Sequence, residues 1–138
     1  MSRRLARELA LKILYRYEEG DRDLPGILVA TLQGKKYADD DKEFCTKLVK
    51  KTVGNLDIID QHITKVLENW PFNRVSVIDK AILRLGACEI IYFHDIPPQV
   101  TINEAIELGK KFGGKDSGDF INGVIDAVRK NYESSNNR

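Results

Sequence analysis

No catalytic set can be assembled from the 138 residues of this chain. There is no phosphate-binding loop, no G-x-S-x-G elbow, no histidine pair at helical spacing and no cysteine placed beside a plausible histidine base. The sequence therefore excludes the common hydrolase, nucleotide-binding and zinc-protease classes, and the expectation is a protein that is not an enzyme and uses no cofactor or metal. The two cysteines, Cys45 and Cys88, share no metal-ligand spacing. Each falls in an apolar helical pattern and reads as a small buried hydrophobe in a reducing cytosol. His62 lies off the apolar stripe of its segment and reads as a surface residue. No apolar run is long enough for a membrane span, and no signal core follows the arginine-rich start, so a cytoplasmic protein with no membrane role is expected. Net charge is nearly absent, 22 basic against 21 acidic residues, so a nucleic-acid role must rest on local charge. Strand alternation, repeats and low-complexity linkers are also missing. One all-α domain over residues 1–138, with a frayed tail at 133–138, is what remains.

What is present is helical patterning. From Ser76 to Phe93 the apolar residues occupy nearly the whole helical circumference, which predicts a helix buried on all sides. Ser76, with Asp79 three residues on, supplies its N-terminal cap. Ser2 is placed to cap a first helix, and Asp23 with Pro25 opens a second that Gly34 closes. Asp39, Asp40 and Asp41 precede a third; they point in different directions and suit a helix N-terminus better than a cation site. A fourth apolar stripe runs from Ile59 to Trp70, with Gly54 and Asn55 before it. Thr101 and Glu104 have the spacing of a capping box for a sixth helix. Gly113 and Gly114 are expected to end it in left-handed conformation. A seventh helix follows Asp116 or Ser117, and Gly123 in its middle predicts close approach of another backbone. The run from Gly109 to Gly118 has the look of a phosphate-binding glycine loop, but it lacks the GK[ST] ending and a preceding strand.

Charge is concentrated at one place. On the first helix Leu5, Ala6, Leu9, Ala10 and Ile13 gather on one side, and Arg3, Arg4 and Arg7 are expected on the opposite, outward side. Cations at a helix start oppose the macrodipole, so folding gains nothing evident from them. A solvated face is one reading. Phosphate contact is another, since guanidinium binds such oxygens bidentately. A third is a protein-interaction module whose basic helix docks an acidic partner or its own twin.

Four blocks, RRLAR with Glu8, Ala10, Leu14 and Tyr15, then VIDKAILRLGACEI, PPQVTINEAIELGKKFG and DSGDFINGVID, give the chain a resemblance to the bacterial NusB family along almost its whole length. The resemblance implies an all-α fold of about seven helices in two packed three-helix subdomains. It implies a transcription antitermination factor that binds the single-stranded boxA element of ribosomal RNA leaders, with the ribosomal protein NusE, in an RNA polymerase antitermination complex; some members dimerise. By position it implies an RNA-binding set of Arg3, Arg4, Arg7, Tyr15, Ser117 and Phe120, with Asp79 and Asp116 at the protein-partner surface. One departure is Asp119, where many members carry lysine, and a carboxylate there weakens phosphate attraction locally. The same domain occurs fused ahead of RNA methyltransferases, for which 138 residues leave no room.

Overall fold

The computed structural model describes residues 3–34, 36–68 and 70–136. Ser2 and the last two tail residues lie outside them. The described residues form seven α-helices and no strand: α1 (Arg4–Glu18), α2 (Leu24–Leu32), α3 (Asp39–Gly54), α4 (Leu56–Val66), α5 (Val77–Tyr92), α6 (Pro98–Phe112) and α7 (Ser117–Asn136), with a 3-10 turn at Phe72–Arg74 before α5. The last helix continues through residues 133–136, which the sequence reading assigned to a frayed tail.

Helix α5 is the axis of the fold. Every residue from Ala81 to Ile91 is buried, as the all-round apolar pattern predicts. Its cap forms as expected, the Ser76 hydroxyl accepting the Asp79 backbone N–H at 3.2 Å. On one side α1, α2 and α3 pack together and reach α5 through α1 and α3. On the other, α6 and α7 pack on each other and on α5, while α4 lies against α5 and α7. Both groups share a single apolar cluster running from Ala6 to Val128. Asp23 caps α2 by accepting the Gly26 N–H at 3.1 Å, and Gly34 takes the left-handed φ of +86° after it.

Several local expectations fail for physical reasons. Helix α4 ends at Val66, and Trp70 sits beyond it, 51% exposed. Helix α6 begins at Pro98, with Pro97 as its N-cap, so Thr101 and Glu104 are a full turn inside and form no capping box. Both side chains bond to other helices instead. Gly113 has φ −91°, not a left-handed value. Its hydrogen is needed because a Cβ would lie 2.4 Å from Ser117 Oγ. Gly123 meets nothing within 4 Å, and the close approach falls at Gly109, whose Cβ would lie 2.7 Å from Ile121 Cδ1 and 3.4 Å from the Gly118 nitrogen.

Candidate nucleic-acid interface

Among the ion pairs that tie α1 to its neighbours, the three at its N-terminal half decide what the arginine motif can do. Arg7 is 5% exposed and donates from Nε and Nη2 to the two Glu89 oxygens, each at 2.8 Å. Thr101 Oγ1 donates to the same carboxylate at 2.8 Å. This buried triad joins α1, α5 and α6. Arg7 therefore faces inward, contrary to the outward placement inferred from sequence. The buried arc of α1 is wider than the short apolar list suggests: Leu11 and Leu14, within about 40° of Arg7 on the helix, are 2% and 0% exposed, whereas Leu5 is 43% exposed. A guanidinium this deep requires a paired carboxylate, and Glu89, buried on α5, is that carboxylate.

Arg4 sits at the surface. Its Nε and Nη2 donate to Glu104 at 3.1 and 2.8 Å, and its side chain keeps 54% of its exposure. The hydrogen bond from Arg4 holds the Glu104 carboxyl below its ordinary pKa and, reciprocally, raises that of the guanidinium. One turn on, Lys111 donates to both oxygens of Glu8 at 3.0 Å, with 59% of its side chain exposed. Arg3 is exposed, its guanidinium 4.3 Å from the centre of the Phe44 ring.

The structure thus builds a seam between α1 and α6, running on into the α6–α7 turn. Along it stand Arg3, Arg4, Lys110, Lys111 and Lys115, all exposed. A groove of about 290 Å³ follows the seam, in which Arg4, Lys110 and Lys111 alternate with Glu8, Glu104 and Glu107. Tyr15 is 40% exposed and lies within about 20° of Arg4 on the same face of α1. Cations that can meet phosphates and, about 16 Å along the same face of α1, a ring that can stack on a base are the kinds of group used for single-stranded nucleic acid. Two of these cations, Arg4 and Lys111, already rest on carboxylates. Phosphate contact there is an exchange of one anion for another.

The remaining sequence candidates separate. Ser117 is 4% exposed and its hydroxyl accepts the Gly114 N–H at 2.8 Å, so it braces the α6–α7 turn. Phe120 is half-buried against the core. Asp116 and Asp119 are exposed at the start of α7, beside the lysines, where they reduce the local positive potential. Asp79 lies in the first turn of α5, far from the seam, and its buried Oδ1 accepts no hydrogen bond. Lys110, Lys111 and Lys115 were missed by sequence reasoning. They stand in the Gly109–Gly118 run, which was weighed only as a glycine loop; their signal was charge density, not motif. Both cysteines are fully buried, and burial pushes each thiol up to about 12.

Known proteins share this architecture. The NusB family model matches residues 4–130. The transcription antitermination protein NusB of Nitratiruptor sp. is 42% identical, the match covering 99% of this chain and 98% of that protein. The NusB of Chloroherpeton thalassium is 37% identical, the match covering 97% of this chain and 64% of that longer protein. Among solved structures, T. maritima NusB superposes with a TM-score of 0.87 at 39% identity, covering 94% of this chain and 92% of that one. A chain from a crystal structure of antitermination factors NusB and NusE in complex with double-stranded RNA superposes with a TM-score of 0.85 at 29% identity, covering 96% and 100%. The seven-helix architecture and the near full-length identity agree, and the chain belongs to the NusB family.

Proposed function

We propose that this chain is a transcription antitermination factor that binds the boxA-like element of ribosomal RNA leaders together with the ribosomal protein NusE, as part of an RNA polymerase antitermination complex. The observation that carries this reading is the α1–α6 seam, where Arg3, Arg4, Lys110, Lys111 and Lys115 stand exposed, with Tyr15 further along the Arg4 face of α1, on a chain of net charge +1. A local patch on a neutral protein is what selective RNA contact requires. Arg3, Arg4 and the three lysines meet phosphates; Tyr15, with the accessible edge of Phe120, stacks on unpaired bases. Arg7 acts from beneath by fixing α1 on α5.

The alternative, a basic helix that docks an acidic protein partner, loses Arg7, whose carboxylate partner is the buried Glu89 of the same chain. The test is a titration, against salt, of a boxA-like oligoribonucleotide and a scrambled control, each single-stranded and duplex, with and without NusE. Binding should prefer the boxA-like single strand and weaken steeply with salt. Equal affinity for all four RNAs would leave only a non-specific basic patch. Asp79, at the opposite end of α5 from the Glu89 triad, is assigned to the NusE contact, because its half-buried carboxylate has no hydrogen bond or ion pair among the described residues. Asp79→Lys should lower NusE affinity by calorimetry while free RNA binding stays at the wild-type level.

A further inference from the structure

We propose that Glu8 and Glu104 are built-in competitors of RNA on the α1–α6 seam, a role that rests on the RNA reading of that seam. Each holds one of its cations on a carboxylate and so sets the affinity that any strand must exceed. The two pairs are reciprocal. Arg4 of α1 donates to Glu104 of α6 from Nε and Nη2 at 3.1 and 2.8 Å, and Lys111 of α6 donates to both oxygens of Glu8 on α1 at 3.0 Å. Two oxygens gripping one cation is also the way a phosphate meets a guanidinium. Each carboxylate therefore occupies the donors that a phosphate would use.

Burial divides the partners unequally. Both glutamate side chains keep only 15% of their exposure, whereas Arg4 keeps 54% and Lys111 59%. The anions are set into the wall between the helices and the cations lie over them on long stems that can turn outward. Opening a pair moves the cation and leaves behind an anion with less water around it than a surface glutamate has. Glu104 keeps its charge through that exchange, because hydrogen bonding by Arg4 lowers its pKa and the field of the buried Arg7 lowers it as well. The third pair in the groove is looser. Lys110 Nζ lies 3.6 Å from one oxygen of Glu107 on the same helix, with 45% of the glutamate side chain exposed, so water replaces that contact readily.

Every strand presents the same phosphates, so opening the two pairs weakens cognate and scrambled RNA by the same factor. What it suppresses is retention through phosphates alone. A strand that adds stacking on Tyr15, or that arrives with NusE, has further contacts to offset the opening, and a strand without them does not. The two carboxylates act as a threshold on a basic patch that would otherwise hold RNA of any sequence.

The test is an anisotropy titration of the full-length protein without NusE, at one fixed salt concentration, with labelled boxA-like and scrambled oligoribonucleotides. Glu8→Gln and Glu104→Gln should each tighten binding of both RNAs by about fivefold, and the double variant by more. Glu107→Gln removes the same charge from the same groove and should tighten binding by less than about twofold, through screened attraction alone. The gain from Glu104→Gln should vanish in an Arg4→Ala background, where no cation remains to be released. Weaker or unchanged binding by both Gln variants would show that the carboxylates position the cations, and a gain no larger than that of Glu107→Gln would show an effect of general charge; either result overturns the proposal. So does a Glu104→Gln gain that survives in the Arg4→Ala background. Arg4→Ala and Lys111→Ala proteins that both bind as wild type would instead overturn the RNA reading of the seam, and this proposal with it. Should Glu104→Gln fail to fold by circular dichroism, Glu8→Gln and its combination with Lys111→Ala decide alone.

Discussion

Arg4 and Arg7 stand one turn apart on the same helix and each is held bidentately by a glutamate, yet the two do different work. Arg7 and Glu89 have 6% and 3% of their side chains exposed; Arg4 and Glu104 have 54% and 15%. Depth determines what a change of partner costs. In the buried pair neither charge can find water if the other is lost, so the pair locks α1 to α5. At the surface, water and salt compete with the carboxylate at every moment, so the pair can open for a phosphate. An arginine motif is therefore not one structural unit: one member is a fastener, and its neighbour is the one proposed to contact RNA.

The contrast is broken most forcefully from the buried side. Arg7→Ala leaves Glu89 charged and enclosed, and should cost about 3–5 kcal/mol in chemical denaturation. Replacing both members with apolar residues, Arg7→Met with Glu89→Leu, should restore most of it. A loss under about 1 kcal/mol for the single change, typical of exposed pairs, would place both arginines in the same class. Leu85→Ala, truncating a residue 2% exposed on α5, should cost about 2–5 kcal/mol and gives the scale for burial without charge. On the exposed side, Arg4→Ala should leave the denaturation midpoint near wild type while lowering the salt dependence of RNA binding by about 0.7 in log–log slope. The Arg7→Met/Glu89→Leu protein should keep the wild-type slope. The smallest effect is in pH. Glu104 has its folded pKa held below its unfolded value of about 4.3. Its contribution is complete above that value and is lost as pH falls through the depressed one. Melting temperature between pH 5 and pH 3 should therefore fall slightly less for Glu104→Gln than for wild type.

The same contrast explains what the sequence could tell. The Ser76–Phe93 helix was legible because burial on every side writes itself into local composition. The Asp23 and Ser76 caps were legible because the capping oxygen and the N–H that donates to it lie within one turn. Arg7 was not, because its carboxylate is 82 residues away on another helix, and a wheel drawn for α1 alone does not show that α5 covers that side. Thr101 and Glu104 misled for a related reason: their spacing is that of a capping box, but α5 and α1 claim the two side chains. Gly123 misled by composition alone, whereas Gly109 and Gly113 carry the steric need. The lysines of the α6–α7 turn were visible as letters, and only the fold brings them beside α1.

Trp70 has a practical consequence. It is the sole tryptophan of the chain, half exposed in the connector that leads from α4 to Ser76, in a hollow shared with Leu67, Pro71 and Phe72. An indole already in contact with water changes its emission little when the helices melt, so intrinsic fluorescence is a weak gauge of unfolding here, and helical circular dichroism is the proper one. That weakness makes it a clean optical reporter of docking. A protein arriving at the N-terminal end of α5, as proposed for NusE, should shield the indole and shift its emission, while an RNA strand on the proposed α1–α6 seam should leave that emission unchanged. One unlabelled sample can in this way distinguish occupancy at opposite ends of the central helix.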